Sequence, residues 1–219
     1  RDKVWLLADV ESKYCCAARP YLGKDSTRPS NVPLGSFVVT SLLNDAGILG
    51  KGYNVTCDNF FTSKSLIDSL IEKKTSLVGT VRNNSRDIPP IKEILLDKSL
   101  PIFSTMVFKS KNNCTLTAYK AKKNKSVMVM SSLHPTVSIS EKKKKKPETI
   151  EYYNHTKFGV DSLDQMCRLY STKSGTRRWP VAVFNNILDI AGINAWILYK
   201  ETQQDKITRR QFLQELAME

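Results

Sequence analysis

Residues 152–166 place the strongest constraint on how this chain can fold. The stretch is polar and loop-like up to Gly159, and after it apolar residues recur at helical spacing: Val160, Leu163, Met166 and Cys167. Asp161 and Asp164 are three positions apart and therefore share one face of the predicted helix, in its first turn, where the helix dipole tolerates negative charge. This pair of acids is either plain N-terminal charge or part of a functional site.

Two upstream aspartates favour a functional site. Each follows a short apolar run that predicts a strand, since Asp9 comes directly after Val4–Ala8 and Asp58 directly after residues 53–57. A carboxylate in this place lies at the edge of a sheet. The structural alternative is that such aspartates only cap loops or helices.

Strand and helix signals alternate along the first 88 residues. Residues 13–21 are predicted to form a hairpin with the first strand, and a helix is predicted to begin near Leu34. Thr62 and Ser63 are suitable caps for a second helix, and residues 76–82 predict a third strand. This alternation predicts an α/β fold with a mixed sheet.

The middle of the chain, residues 89–149, has a different pattern. Apolar and polar residues alternate at 105–109, 116–120 and 127–131, which predicts short antiparallel strands. We predict an inserted β-rich subdomain that packs beside the main sheet. It ends in an exposed loop with five consecutive lysines: Lys142, Lys143, Lys144, Lys145 and Lys146. Further on, residues 171–175 predict a loop, and Pro180 is placed to open a long apolar helix.

The positive charge of the chain is concentrated in this middle segment. Residues 89–150 hold 13 Lys and Arg against four Asp and Glu, which gives +9 of the chain's net charge of +13. Such a basic block favours a polyanionic partner, nucleic acid first, although a solvated lysine-rich loop has the same composition. The lysine run also fits a nuclear localisation signal. No apolar run approaches the roughly 20 residues of a membrane helix, so we expect no membrane partner.

The candidate metal ligands are carboxylates. Five cysteines without a C-x-x-C pair and only two histidines indicate neither a zinc site nor a disulfide framework, and a reduced intracellular compartment fits them best. If Asp9, Asp58 and Asp161 converge, their oxygens suit Mg²⁺ or Mn²⁺. Two such ions about 4 Å apart clamp the attacking and leaving oxygens of a phosphoryl transfer.

Several segments together resemble the catalytic core of a piggyBac-family transposase, in the group that includes the domesticated piggyBac-derived proteins. They are residues 54–63 (NVTCDNFFTS), 78–82 (VGTVR), 88–89 (IP), 153–166 (YNHTKFGVDSLDQM) and 178–180 (RWP). Their order and spacing extend through nearly the whole chain. The sequence departs from the best-known members after Asp9, where Val10-Glu11-Ser12 stands in place of a Ser-Gly pair.

The resemblance implies an RNase H-like fold, interrupted by an insertion before the helix with the last acid. It implies that Asp9, Asp58 and Asp161 are catalytic and bind two Mg²⁺ or Mn²⁺ ions, with Asp164 as a fourth acid. The family cuts DNA at transposon ends, passes through hairpin ends and joins them to TTAA targets. The first catalytic part is then 1–88, the insertion 89–149, the second catalytic part 150–172, and 173–219 a partial helical segment for dimerisation and DNA binding.

Two interpretations of function remain open at this point. The first is an active, nuclear, metal-dependent DNA transposase that is a homodimer at full length. The second is a domesticated DNA- or chromatin-binding protein that has lost transposition. Both use DNA contacts, for which we expect these residues: Arg82, Lys142, Lys143, Lys144, Lys145, Lys146, Lys157, Arg177, Arg178 and Trp179. For Trp179 the alternative is a packing role at the start of the last helix, and for the arginines a local ion pair.

Overall fold

The computed structural model describes residues 4–23, 25–88, 99–203 and 207–219. In this part of the chain the strands are β1 (Val4–Ala8), β2 (Cys15–Pro20), β3 (Asn54–Cys57), β4 (Ser76–Val81), β5 (Thr105–Lys109), β6 (Thr115–Lys122) and β7 (Lys125–Ser131). The helices are α1 (Leu34–Asp45), α2 (Lys64–Glu72), α3 (Glu148–Thr156), α4 (Gly159–Leu169), α5 (Trp179–Thr202) and α6 (Arg209–Leu216). Mixed α/β structure is confirmed.

The chain divides into two compact units. We call Ser26–Lys157 the sheet unit, and Arg1–Asp25 together with Phe158–Glu219 the hairpin unit. The sequence-based boundaries at residues 88, 149 and 172 differ from this division. The start of the predicted insertion, residues 89–98, lies outside the described residues.

The sheet unit is built on a five-stranded sheet in the order β3-β4-β7-β6-β5. Strands β3 and β4 are parallel, with Cys57 opposite Gly79 at their shared end, and the other pairs are antiparallel. Helix α2 connects β3 to β4 and begins as predicted, because the Ser63 side chain accepts a hydrogen bond from the Leu66 amide at 3.2 Å.

The middle strands do not form a separate layer. Strand β7 pairs directly with β4, with Val78 opposite Ser131 and Val81 opposite Met128. The prediction that these strands pack beside the sheet without pairing to it is therefore wrong. The physical reason is that the apolar β4, whose Leu77 and Val78 are fully buried, needs a partner on both edges, and alternation alone does not say which strand pairs with which.

Residues 148–156 form a helix, whereas the sequence predicted a loop from residue 152 up to Gly159. Helix α3 begins after Pro147 and has Glu148 and Glu151 in its first turn, where the dipole favours acids. Its buried Ile150 joins the sheet residues Val78, Tyr119 and Val129 in one apolar cluster. With so few apolar side chains, this helix depends on tertiary contacts that the sequence pattern does not reveal.

The hairpin unit places α4 and α5 against the β1–β2 hairpin. Its core combines side chains from β2, α4 and α5: Cys15, Leu163, Cys167, Ile190, Ile193 and Ile197. The predicted hairpin, the acidic helix and the long last helix are all present, and Pro180 occupies the first turn of α5. Helix α6, which begins with a capping box at Thr208 and Gln211, was not predicted.

Among the described residues, one helix is long and apolar enough to cross a membrane by length and composition. It is α5, with a mean hydropathy of 1.5 over its most apolar window, of which 22% is buried. Asn185, Asn186, Asp189 and Asn194 interrupt its apolar residues, so no continuous run appears in the sequence. Core helices pass the same test, and Ile190, Ile193 and Ile197 lie in the core of this unit.

Candidate metal and nucleic-acid site

Asp9 stands directly after β1 in a tight turn that holds its carboxylate. Its Oδ1 accepts hydrogen bonds from the Ser12 hydroxyl at 2.6 Å, the Ser12 amide at 2.7 Å and the Glu11 amide at 3.2 Å. Partial burial alone would raise the pKa of Asp9. The hydrogen bonds from Ser12 and Glu11, together with the charge of Lys13, outweigh burial and lower that pKa below its ordinary value. The side chain is therefore a fixed anion on an exposed turn.

Gly159 brings the start of α4 against the end of β1. A Cβ at this position would lie 3.5 Å from the Ala8 carbonyl oxygen and 3.7 Å from the Asp9 carbonyl oxygen. The first turn of the helix thus meets the strand end that carries Asp9. Because Asp161 is two residues further along that first turn, the hairpin unit places two of the three predicted ligands at one end of the β1–α4 pair.

The carboxylates of Asp161 and Asp164 are left available. Asp161 is exposed and Asp164 is half-buried. Within the described residues, neither side-chain carboxylate accepts a hydrogen bond or forms an ion pair. The residue that caps α4 is Phe158, so neither acid is the cap of its own helix. Charge at the helix start is consistent with the dipole, but it does not occupy the oxygens of these carboxylates.

Asp58 follows β3 in the sheet unit and also lies in a fixed turn. Its Oδ1 accepts a hydrogen bond from the Phe60 amide at 2.8 Å, and its carbonyl oxygen accepts from the Thr62 hydroxyl at 2.8 Å. The side chain is exposed, and the structure shows no bond to Oδ2 from the residues it describes. With respect to the described residues, Asp58 therefore resembles Asp9: its Oδ1 is hydrogen-bonded and its Oδ2 is not.

Gly79 on β4 is required for this turn. A Cβ there would lie 2.1 Å from the Thr62 hydroxyl oxygen and 2.9 Å from the Cys57 carbonyl oxygen, closer than real Cβ contacts. Only glycine therefore lets Thr62 reach between the strands and bind the Asp58 carbonyl. Cys57 adds no charge beside Asp58, because burial, and then the negative charge of Asp58, raise the pKa of its thiol to about 12.

Arg82 lies beside the Asp58 turn at the end of β4. Its Nε donates to the Asn59 side chain at 2.9 Å. Together they line a surface cavity of about 330 Å³ whose other walls include Phe60, Asn84 and Ser85. This arrangement gives the predicted DNA-binding Arg82 a fixed place next to one candidate metal ligand.

The five-lysine run forms a closed, exposed turn. Lys142, Lys143, Lys144 and Lys145 are exposed, and Lys146 is half-buried. The turn is closed by a bridge between Ile139 and Pro147 and by a hydrogen bond from the Tyr119 hydroxyl to the Lys144 carbonyl at 2.6 Å. The predicted exposure is confirmed for the first four lysines and not for Lys146, and the run forms a closed turn, which a charge run alone does not predict.

The remaining predicted DNA-binding residues are also at the surface. Lys157 is exposed, with its ammonium 5.8 Å from the centre of the Tyr153 ring. Arg177, Arg178 and Trp179 are exposed, Trp179 by 53%. Trp179 is therefore not a core residue of the hairpin unit, which contradicts the alternative that it has a packing role there. The predicted contact of Trp179 with DNA stays a prediction.

Among the described residues, no group of three or more His, Cys, Asp and Glu side chains is gathered in a way that could hold a metal ion. Asp9 and Asp161 belong to the hairpin unit and Asp58 to the sheet unit. The donor set nevertheless fits a hard divalent cation, because each of the three is an exposed carboxylate with an oxygen left unbound by the described residues. That the three share ions stays a prediction.

Comparison with known proteins gives a matching family model and a similar solved structure. A model of the family described as Transposase IS4 matches residues 1–196. The chain belongs to this transposase family. A cryo-EM structure of a piggyBac transposase synaptic complex with hairpin DNA superposes with a TM-score of 0.87 and 38% identity, over 98% of this chain and 45% of that one. These matches confirm both the predicted piggyBac-type membership and the predicted RNase H-like class of the fold.

Two human proteins are similar at 27% identity over 213 residues, which is 91% of this chain. They are PiggyBac transposable element-derived protein 3, of which the match covers 35%, and the Chimeric ERCC6-PGBD3 protein, of which it covers 20%. The chain thus spans about a third of the first relative and under half of the chain in the solved piggyBac complex.

Sequence reasoning missed the residues that support Asp9 and Asp58. Ser12 holds the Asp9 carboxylate, and Gly79 admits Thr62 to the Asp58 turn. Ser12 carried a weak signal, because a serine three residues after an aspartate often closes a side-chain turn. Gly79 also carried a weak sequence signal, because a glycine inside a strand indicates close approach of a neighbouring group.

Proposed function

We propose that this chain is the catalytic part of a metal-dependent DNA transposase of piggyBac type. Such an enzyme cuts transposon ends and joins them to TTAA target DNA. The observation that carries the proposal is the close approach of Gly159 to the end of β1, which brings the backbone at Asp9 against the start of the helix that has Asp161 in its first turn. An acid fixed at a strand end next to an acidic helix start is a suitable beginning for a divalent-metal site.

We assign the metal ligands as Asp9, Asp58 and Asp161, with Asp164 close by on the same helix. Bound Mg²⁺ or Mn²⁺, in two ions, would supply charge stabilisation to the attacking and leaving oxygens of a phosphoryl transfer. The chain's own contribution is orientation. Ser12 and the Phe60 amide each bind one oxygen of their aspartate, so the rotamers of Asp9 and Asp58 are set before any ion arrives.

The proposed partner is DNA, in the nucleus. The similar solved piggyBac structure is a synaptic complex with hairpin DNA, and this chain has exposed cations suited to phosphate, at Arg82 and along the lysine turn. The arginines before α5 and the exposed Trp179 would contact a strand end, where an indole can stack on an unpaired base. We propose a homodimer for the full-length protein and no membrane partner.

The metal assignment is tested by calorimetric titration of Mn²⁺ into the parent protein and into Asp58→Asn. We expect binding in the parent and a loss of at least tenfold in affinity in the variant, because an amide oxygen carries no charge for a hard cation. Asp68→Asn is the matched control, since Asp68 lies on α2 and pairs with Lys64 instead. Equal Mn²⁺ affinity in all three proteins contradicts the assignment.

The second candidate is a domesticated piggyBac-derived protein that binds DNA or chromatin without transposition. The similarity to a human transposable element-derived protein favours it. Strand cleavage of a transposon-end duplex separates the two functions. DNA binding that persists in Asp58→Asn, with no cleavage by the parent in Mg²⁺ or Mn²⁺, supports the second candidate and contradicts the first.

A further inference from the structure

The far end of the acidic helix α4 is held by two buried charged residues from other helices. They are Asp189 on α5 and Arg209 on α6, which are 5% and 8% exposed. Charged side chains are almost never buried this fully unless they have specific partners. Neither residue is among the candidate metal ligands or the predicted DNA-binding residues described above.

Arg209 binds the C-terminal turn of α4 directly. Its guanidinium Nη2 donates to the Met166 carbonyl at 2.5 Å, and its Cζ lies 4.8 Å from the centre of the Tyr170 ring. The Met166 carbonyl is one of the last four of α4, which have no partner within the helix. A cation at this end also complements the helix dipole. Arg209 therefore acts as a cap supplied from outside the helix.

Asp189 holds the chain that leaves α4. Its Oδ2 accepts from the Ser171 hydroxyl at 2.7 Å, and its Oδ1 accepts from the Thr172 amide at 2.7 Å and the Thr172 hydroxyl at 2.9 Å. These bonds fix the two residues that follow Tyr170 onto α5. Burial lowers the pKa of Arg209 below its ordinary value, and the nearby Asp189 carboxylate is among the groups that oppose this shift.

From these contacts we infer that Arg209 and Asp189 are positioning residues for the acidic end of α4. The inference rests on the proposed metal-binding role of Asp161. A helix is stiff, and Asp161 lies eight residues from Leu169, which is a lever of about 12 Å. A tilt of about 10° at the held end moves the aspartate by about 2 Å, whereas a functional constellation tolerates roughly 0.5 Å.

Apolar packing alone does not define this tilt. Leu163 and Cys167 of α4 pack against Ile190, Ile193 and Ile197, and such contacts are non-directional. The hydrogen bonds from Arg209 and to Asp189 have fixed directions, and they act at the end of α4 opposite to its contact with β1. Together the two ends define where the helix points.

The experiment compares Arg209→Lys with Arg210→Lys, a neighbouring arginine that is exposed. Lysine keeps the charge but cannot present a planar fork over Tyr170 while reaching the Met166 carbonyl. We expect amide hydrogen exchange at residues 163–172 to become at least tenfold faster in Arg209→Lys and to stay as in the parent in Arg210→Lys. Asp189→Asn should speed exchange at residues 170–172 most. Equal exchange rates in Arg209→Lys and Arg210→Lys would contradict the positioning role of Arg209.

A second measurement separates positioning from general stabilisation. Leu213→Ala removes an α6 side chain that packs on Gly192 of α5 and carries no hydrogen-bonding group, so it serves as a control for lost stability. We expect Arg209→Lys to weaken Mn²⁺ binding at least fivefold, and Leu213→Ala to lower Tm without changing the Mn²⁺ Kd. If both variants lose Tm and Mn²⁺ affinity alike, Arg209 is only structural. If the parent protein binds no Mn²⁺, that result contradicts the proposed function instead. Hydrogen exchange alone then tests whether Arg209 and Asp189 position α4.

Discussion

At the scale of single residues, the structure explains how Asp9 is kept ready as an anion. Ser12 supplies two of the three hydrogen bonds to its Oδ1, one from the hydroxyl and one from the amide. The position after Asp9 is also where the sequence departs from the best-known members of the family. In this chain Ser12 is the side chain that fixes the aspartate.

The Ser12 hydroxyl should control the titration of Asp9. Ser12→Ala removes the 2.6 Å bond to Oδ1, so the pKa of Asp9 should rise from its lowered value towards 3.8. Because the folded pKa lies below the unfolded one, the stability that Asp9 contributes is complete above the unfolded pKa and is lost as pH falls through the folded pKa. Ser12→Ala should make this contribution smaller and complete its loss at a higher pH, because the folded pKa moves up towards the unfolded one.

Carbon-13 NMR of the Asp9 carboxyl, followed from pH 6 down to about 2, measures the change. Ser12→Thr keeps a hydroxyl and should titrate like the parent. A pKa in Ser12→Ala that does not move would show that the backbone amides alone hold the carboxylate.

At the scale of elements, α3 shows how polar contacts dock a helix that has little apolar surface. Its Thr156 accepts a hydrogen bond from the Thr56 hydroxyl on β3 at 2.8 Å, and its Tyr152 hydroxyl accepts from the Asn54 amide at 3.1 Å. At its start, Thr149 donates to Thr117 at 3.0 Å in a fully buried pair. The helix is bound to the sheet at both ends.

We expect Thr56→Val to destabilise the protein by about 1 kcal/mol, because a net intramolecular hydrogen bond contributes roughly that much. Thr156→Val should cost a similar amount, and the double variant less than the sum, by at least about 0.5 kcal/mol, since both single changes remove the same bond. Urea denaturation measures the free energy of unfolding. Thr202→Val is the control, because Thr202 is exposed and bonds only to its own helix. Strictly additive losses would show that the two hydroxyls do not interact in solution.

At the scale of the whole molecule, the uneven charge is the main feature for partner binding. The segment with +9 of the net +13 joins the sheet that also carries Asp58, through the pairing of β7 with β4. Its lysine turn is fixed to β6 by Tyr119. A cationic loop held in this way loses less conformational entropy on binding phosphate than a free run would.

Replacing all five lysines of the turn with alanine should flatten the salt dependence of DNA affinity. The slope of log K against log salt should decrease by about 0.9 for each phosphate contact that is lost. The turn itself should persist, because Tyr119 binds the backbone carbonyl of Lys144 rather than its side chain. Fluorescence anisotropy at several salt concentrations measures the slope.

The control for the lysine turn replaces Lys51 and Lys73, two exposed lysines of the same unit that lie outside the turn. A slope that drops equally with the control would show a general charge effect. A slope unchanged by the five replacements would remove DNA contact from the roles of the turn and leave nuclear targeting.

The sequence alone determined the kinds of local structure and the candidate acids. Strands β1, β3 and β4, helix α2 with its Ser63 cap and the acidic helix α4 follow from apolar spacing and capping residues, which are local properties. The family resemblance depended on the same local segments. These signals are strong because the apolar spacing and the capping residue of each element lie within that element or directly beside it.

The tertiary structure alone decided the pairing of β7 with β4, the helical state of α3 and the supports around the aspartates. Apart from the local bonds that Ser12 and the Phe60 amide make to their aspartates, these features depend on contacts between residues far apart in the chain. Gly79 is 17 residues from Thr62, Thr56 is 100 from Thr156, and Arg209 is 43 from Met166. Sequence patterns predict which residues are buried or hydrogen-bonded. They do not predict the partner, because the partner depends on packing in three dimensions and not on any local periodicity.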